Sequence, residues 1–208
     1  MTLKLNGSSS GSVSIDAPAN TTSGADLTFK LPIADGSAGQ AITTNASGQL
    51  AFASAGLFTS YALLCEEKSA DSNGGTATAG SWFAREINTE IADPDGIVSL
   101  SSNQFTLQAG NYLLKWQCVN YKTNRCQTRI YDTTNSAVVG LGTVVYANTT
   151  PAITPASNGI CRVTPSGATV YEFQNIVQAT LATYGLGVAG EFSSTAERYA
   201  LLEIYKEA

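Results

Sequence analysis

Asn111-Tyr-Leu-Leu-Lys-Trp-Gln-Cys-Val-Asn120, followed four residues later by Arg125-Cys-Gln-Thr-Arg-Ile-Tyr-Asp132, carries the reading of the fold. Tyr112, Leu114, Trp116 and Cys118 take alternate positions in the first run, and Cys126, Thr128 and Ile130 do so in the second. A two-residue apolar period is the mark of a strand with one buried face. The same pattern extends from residue 58 onward and predicts strands at 58–66, 82–86, 97–100, 104–107, 111–120, 125–132, 137–146, 159–163, 169–180 and 198–206. Helical periodicity is absent and Gly, Pro and Asn turns separate the runs, which indicates an all-β antiparallel sandwich or jelly roll.

The final run is different. Ala200, Leu202 and Ile204 line one face, while Tyr199, Leu201 and Tyr205 line the other, interrupted by Glu203. A two-layer sandwich covers only one face of each sheet, so the second apolar face calls for a subunit interface, or for a loop folded over it. Residues 1–57 read as a separate Gly/Ser/Thr-rich, β-rich stalk or anchoring segment, and residues 58–208 as the head. In the stalk, Val13-Ser-Ile15, Leu27-Thr-Phe29, Leu31-Pro-Ile33, Ala41-Ile-Thr43 and Leu50-Ala-Phe52 alternate with turn dipeptides such as Ala17-Pro18, Ser23-Gly24, Asp35-Gly36 and Ser47-Gly48. Strands this short bury too little apolar area to repay their ordering entropy, so they need partners.

Charged residues make up 13% of the 208-residue chain, about half of what soluble domains carry, and the net charge is -5. With no basic run there is no electrostatic basis for nucleic-acid binding. Residues 1–8 have no apolar h-region, and the longest apolar stretch, 137–147, is broken by Gly140, Gly142 and Thr143, so neither a signal peptide nor a membrane span is expected. Four cysteines without an export signal read as buried thiols, although Cys118 and Cys126, of equal parity on strands joined by a short turn, leave a cross-strand pair geometrically open. Neither a metal nor a cofactor is expected, since there is no histidine and no Cys-x-x-Cys.

Catalysis is not expected either. Glu66, Glu67, Glu90, Asp93, Asp95, Glu172, Glu191, Glu197 and Glu203 fall in turns or on surfaces rather than as a carboxylate pair across a definable cleft. The triad base and the Gly-x-Ser-x-Gly elbow are missing as well.

Leu31-Pro-Ile-Ala-Asp-Gly-Ser-Ala-Gly-Gln40 and Thr43-Thr-Asn-Ala-Ser-Gly-Gln-Leu50 resemble β-segments of fibre and structural proteins of tailed bacteriophages, especially marine ones. The stretches 88–100, 103–112 and Leu202-Glu-Ile-Tyr-Lys-Glu-Ala208 are similar to the C-terminal domain of such proteins. That domain resembles the jelly-roll heads of complement-type and tumour-necrosis-factor-like trimers, with Gly110-Asn-Tyr112 as the counterpart of their Gly-x-Tyr turn. The resemblance implies a homotrimer on a virion, joined to other virion proteins through its N-terminal segment, with both ends of the head at the base beside the stalk.

If the last strand descends to the base, the turn at 121–124 and the loops at 147–158 and 181–197 project from the opposite, distal end. Tyr121, Asn124, Tyr146, Asn148, Asn158 and Tyr184 are then candidate receptor contacts, because aromatic faces and amides suit a host-surface glycan. Two functions follow: a short trimeric fibre or tip module contacting the host surface, or a capsid or tail decoration protein with a mainly structural role.

Overall fold

The computed structural model describes residues 3–6, 10, 12–15, 28–45 and 47–208. The turn residues at 17–18 and 23–24, and Leu27, lie outside them. The chain divides into two compact units, residues 1–55 and 56–208.

In the first unit, β1 (Leu3–Asn6) pairs with β2 (Ser12–Ile15), and β3 (Gln40–Thr44) pairs with β4 (Leu50–Ser54), both antiparallel. Asn45 builds the second hairpin turn: its Oδ1 accepts from the Ser47 and Gln49 amides at 2.9 and 3.0 Å. Gly48 turns the chain at φ +75°, and a Cβ there would lie 2.1 Å from the Thr28 carbonyl oxygen, so only glycine fits. Phe29, Leu31, Ile33 and Ile42 remain largely exposed, Ile33 fully.

The second unit is a jelly roll of two antiparallel sheets. Its strands are β5 (Phe58–Lys68), β6 (Phe83–Ala84), β7 (Thr89–Ala92), β8 (Val98–Ser101), β9 (Gln104–Leu107), β10 (Tyr112–Val119), β11 (Asn124–Asp132), β12 (Ala137–Leu141), β13 (Val145–Ala147), β14 (Ala156–Val163), β15 (Thr169–Val177) and β16 (Glu197–Glu207). One sheet runs β14-β10-β16-β5-β7 and the other β12-β11-β15-β9-β8, with β13 against β11 and β6 against β15. The first and last strands of the unit are neighbours, with Phe58 opposite Glu207 and the Ala208 amide donating to the Leu57 carbonyl. This end of the unit is its base.

The core lies between the sheets and contains the alternate residues singled out above: Tyr112, Leu114, Trp116 and Cys118 from β10 pack with Ala200, Leu202 and Ile204 of β16 and with Ile130, Phe105, Tyr171 and Phe173 of the opposite sheet. Trp116 stands edge-on to Phe173 at 6.3 Å, and Phe105 stacks on Tyr171 at 5.5 Å. Glycines make room for the indole, since a Cβ at Gly159 would lie 2.0 Å from it and one at Gly140 2.9 Å.

Several expectations change. The chain crosses from one sheet to the other between β10 and β11, so Cys118 and Cys126 lie on different sheets and in separate apolar clusters rather than side by side on a ladder, and all four cysteines are free. The run 137–146 is two strands, because the chain turns at Gly142, where a Cβ would meet Thr128 Oγ1 at 2.2 Å. The fourteenth strand starts at Ala156 instead of residue 159, β15 ends at Val177, and β7 has no counterpart among the anticipated strands. Tyr199 moves furthest from its expected role: a bulge between Arg198 and Ala200 turns it inward, where it is 5% exposed. Its hydroxyl donates to the Ser72 carbonyl at 2.7 Å, and Gly187 lies over its ring so closely that a Cβ there would be 2.0 Å away.

Burial holds the thiols protonated. Cys118 is pushed up to about 12, and Cys126 and Cys161 up to about 11, desolvation being the largest cause in each. Because the thiolate is the reactive form, native protein at pH 8 should resist maleimide or iodoacetamide, with half-buried Cys161 labelled first and the other three only on unfolding. Mass spectrometry of a labelling time course reads this directly, and rapid native labelling of Cys118 would contradict the core assignment.

Candidate functional site

Antiparallel pairing places 120–123, 148–155 and 178–196 at the end of the sandwich opposite the base, together with the segment after β5. Backbone hydrogen bonds knit these segments into one cap. The Tyr121 amide donates to the Gly185 carbonyl at 3.1 Å, Asn120 to Pro155 at 3.3 Å, Gly75 to Thr183 at 3.0 Å, and Ala77 and Leu181 bond reciprocally at 3.0 Å. Lys122, Asn124 and Thr183 are held at φ +52°, +59° and +68°, conformations that non-glycine residues adopt at a cost and that recur where a loop is shaped for use.

Of the six candidate contacts, the structure brings two together. Tyr121 and Tyr184 line a hollow of about 210 Å³ with Lys122, Leu181 and Val188. The Lys122 ammonium lies 5.2 Å from the Tyr121 ring centroid. Tyr184 is 45% exposed, so its ring is available at the rim. The lysine and the two apolar residues beside it carried no signal in sequence, because only the cap's backbone pairing sets them beside the tyrosines.

The other four stand apart. Tyr146 is exposed and stacks under Arg125, 5.7 Å from guanidinium carbon to ring centroid. Asn148 spends its amide locally: Nδ2 donates to the Thr150 carbonyl at 2.8 Å and Oδ1 accepts from the Thr150 amide. Asn158 lies on β14 rather than in a loop, with Nδ2 donating to the Ala156 carbonyl at 3.1 Å. Asn124 is half-buried at the start of β11.

The second feature is the outer face of the β14-β10-β16-β5-β7 sheet. Leu201 and Tyr205 point outward there, as expected, and register places Cys65, Leu63 and Tyr61 of β5 and Leu113 of β10 beside them. Ile91 and Ile160 extend the apolar surface to both sides, at 40% and 59% exposure. Leu63, Ile91, Leu201 and Tyr205 line a depression of about 450 Å³. Phe58 packs its ring 5.1 Å from that of Tyr205. Lys115 Nζ pairs with Glu203 at 3.2 Å, Arg162 with Glu207 at 2.7 Å, and the Tyr205 hydroxyl with Glu203, while Gln117, opposite Leu201, is exposed. These bonds hold the Glu203 and Glu207 carboxyls below their ordinary range, the first through Tyr205 and Lys115, the second through Arg162.

Among the described residues no group of three or more histidine, cysteine, aspartate or glutamate side chains is placed to hold a metal, and no helix is long and apolar enough to cross a membrane. No protein-family model matches the chain, and no curated protein matches it. Solved structures similar to it include the globular domain of zebrafish complement 1qA protein, at 11% identity and TM-score 0.46 over 70% of this chain and 95% of that one. Murine APRIL aligns at 10% identity and TM-score 0.46 over 71% and 98%, and the PRD1 vertex protein P5 at 12% and 0.47 over 74% and 100%. These are low-identity similarities of strand arrangement.

Proposed function

We propose that this chain is a structural protein of a bacteriophage virion, in which three jelly-roll heads associate through the outer face of the sheet containing β16 and the distal cap contacts the host surface. The observation that carries the association is the apolar face of Tyr61, Leu63, Ile91, Leu113, Leu201 and Tyr205, beside which Lys115, Glu203, Arg162 and Glu207 are already paired within the chain. A contiguous surface of this kind is costly to leave in water and is what an obligate interface buries. Tyr199 has no part in it, being covered by its own chain. The number three and the virion context rest on the resemblance of residues 31–40, 43–50, 88–100, 103–112 and 202–208 to tailed-phage fibre and structural proteins.

The first unit serves in this proposal as the virion-anchoring stalk, because Phe29, Leu31, Ile33 and Ile42 stay exposed within one chain and need sister chains or another virion protein to cover them. In the distal cap of the head, Tyr184 and Tyr121 offer ring faces to a glycan.

Leu201→Glu or Tyr205→Glu places a charge in the middle of the face, and sedimentation velocity should then show monomers where the parent protein sediments at three times the chain mass. The core residues of β16 are untouched, so a monomer with parental circular dichroism is the expected result. Charged variants that stay trimeric would overturn the interface. Adsorption of the purified trimer to susceptible cells, with competition against infection, tests the distal role. Failure to adsorb, combined with stoichiometric occupancy of capsid or tail sites, would instead favour decoration.

A further inference from the structure

The opposite sheet carries a second, unassigned arrangement on its outer face. Arg129 of β11 lies between two aromatic rings, its guanidinium carbon 4.2 Å from the Trp82 centroid and 4.8 Å from that of Tyr131. Its Nε donates to Gln174 Oε1 at 2.7 Å. That bond and the two rings fix the plane of the guanidinium, while its Nη groups make no ion pair or hydrogen bond among the described residues. A planar fork held in this way has already lost the rotamer freedom that a flexible arginine gives up on binding, and its two Nη groups match the spacing of a carboxylate.

The neighbours complete a platform. Register sets Gln174 opposite Arg129, and Glu172 opposite Tyr131. Glu172 is oriented from both sides, by Gln104 Nε2 at 2.8 Å and Gln174 Nε2 at 2.5 Å. One face therefore presents two aromatic rings, a fixed cationic fork and, next to it, a fixed carboxylate. A simple anion would be drawn by Arg129 and repelled by Glu172. A ligand carrying both a carboxylate and hydroxyl donors on a ring-shaped apolar body satisfies every part: the carboxylate meets the fork, hydroxyls donate to the remaining lone pairs of Glu172, and the sugar ring lies on Trp82 or Tyr131.

The geometry points to a binding platform for a carboxylate-bearing saccharide of the uronic-acid class on the outer face of the β12-β11-β15-β9-β8 sheet, with Arg129 as the carboxylate receptor. It lies within one chain, on the sheet opposite the proposed interface, and does not depend on the distal cap or on the number of subunits.

Fluorescence offers a local readout, because the chain has two tryptophans and Trp116 is buried in the core at 4% exposure, leaving Trp82 to report on the platform. The full-length protein is titrated with a galacturonate trisaccharide, with its methyl ester and with acetate at matched carboxylate concentration. Saturable quenching by the acid trisaccharide, at least tenfold weaker with the ester and with acetate, is the expected result. Arg129→Gln should weaken it at least tenfold with an unchanged melting temperature. Arg129→Lys, which keeps the charge but loses the fork, should fall in between, and it decides the matter if the glutamine variant melts early. Equal response to acetate, equal response to the ester, or undiminished binding by the lysine variant would each overturn the assignment.

Discussion

Arg85→Met should lower the stability of the head by about 3–5 kcal/mol, because it leaves the Glu66 carboxylate buried without its partner. Both side chains are fully inaccessible, with Nη2 and Nε of Arg85 at 2.6 and 2.7 Å from Glu66 Oε2. Desolvation lifts the Glu66 carboxyl above its ordinary range despite the arginine beside it. A drop of that size lowers the melting temperature by on the order of 10 °C for a domain of this length. Glu66→Met should be as damaging, since it strands the guanidinium. The double variant should recover most of the loss, because a buried pair exchanged for packed apolar groups is often neutral or better. Thermal melts of the two singles and the double give the coupling, and additive losses would show that the pair does not act as a unit.

The recovery should stop short of complete, for a reason that bears on the distal cap. Arg85 Nη2 also donates to the Leu186 carbonyl at 3.1 Å, two residues beyond Tyr184, so one side chain ties β5 to the segment that forms the hollow. In the double variant that carbonyl loses its donor, and amide exchange within 181–197 should quicken even where the melting temperature recovers.

Little of this was legible in the chain beforehand. A strand with one buried face announces itself by alternation, so β10, β11 and β16 were visible, and so was the outward position of Leu201 and Tyr205. Alternation says nothing about which sheet a strand joins. The crossing between β10 and β11, which parts Cys118 from Cys126, comes from packing of both strands against a common core. Tyr199 was misplaced for a related reason: a bulge shifts side-chain parity by one, and nothing in Glu-Arg-Tyr-Ala marks it. The hollow residues Lys122 and Val188, and the stack of Trp82, Arg129 and Tyr131, join segments far apart in sequence, so only the folded chain shows them.

Trp116→Ala should cost about 3–5 kcal/mol, the loss typical of a large buried aromatic side chain. The indole does more than fill space. Its Nε1–H donates to Thr128 Oγ1 at 2.8 Å, and Thr128 belongs to the other sheet. The directions of the following bonds are then fixed by proton count. Ser157 Oγ donates its one hydrogen to the Thr143 carbonyl at 2.7 Å, so in the 2.8 Å contact between the two hydroxyls Thr128 is the donor. Trp116, Thr128, Ser157 and the Thr143 carbonyl form one directed chain, which pins β10 and β14 to β11 and fixes the break after Gly142. Thr128→Val, nearly isosteric, should cost about 1–3 kcal/mol by leaving the buried indole N–H without an acceptor. Trp116→Phe should lose less than alanine while still breaking the chain. Gly159→Ala should approach the threonine variant, since its methyl would have to displace a ring 2.0 Å away. Denaturant melts rank the four. If Thr128→Val proved as stable as the parent, the hydroxyl chain would be incidental to the sandwich and the indole would act there by its bulk alone.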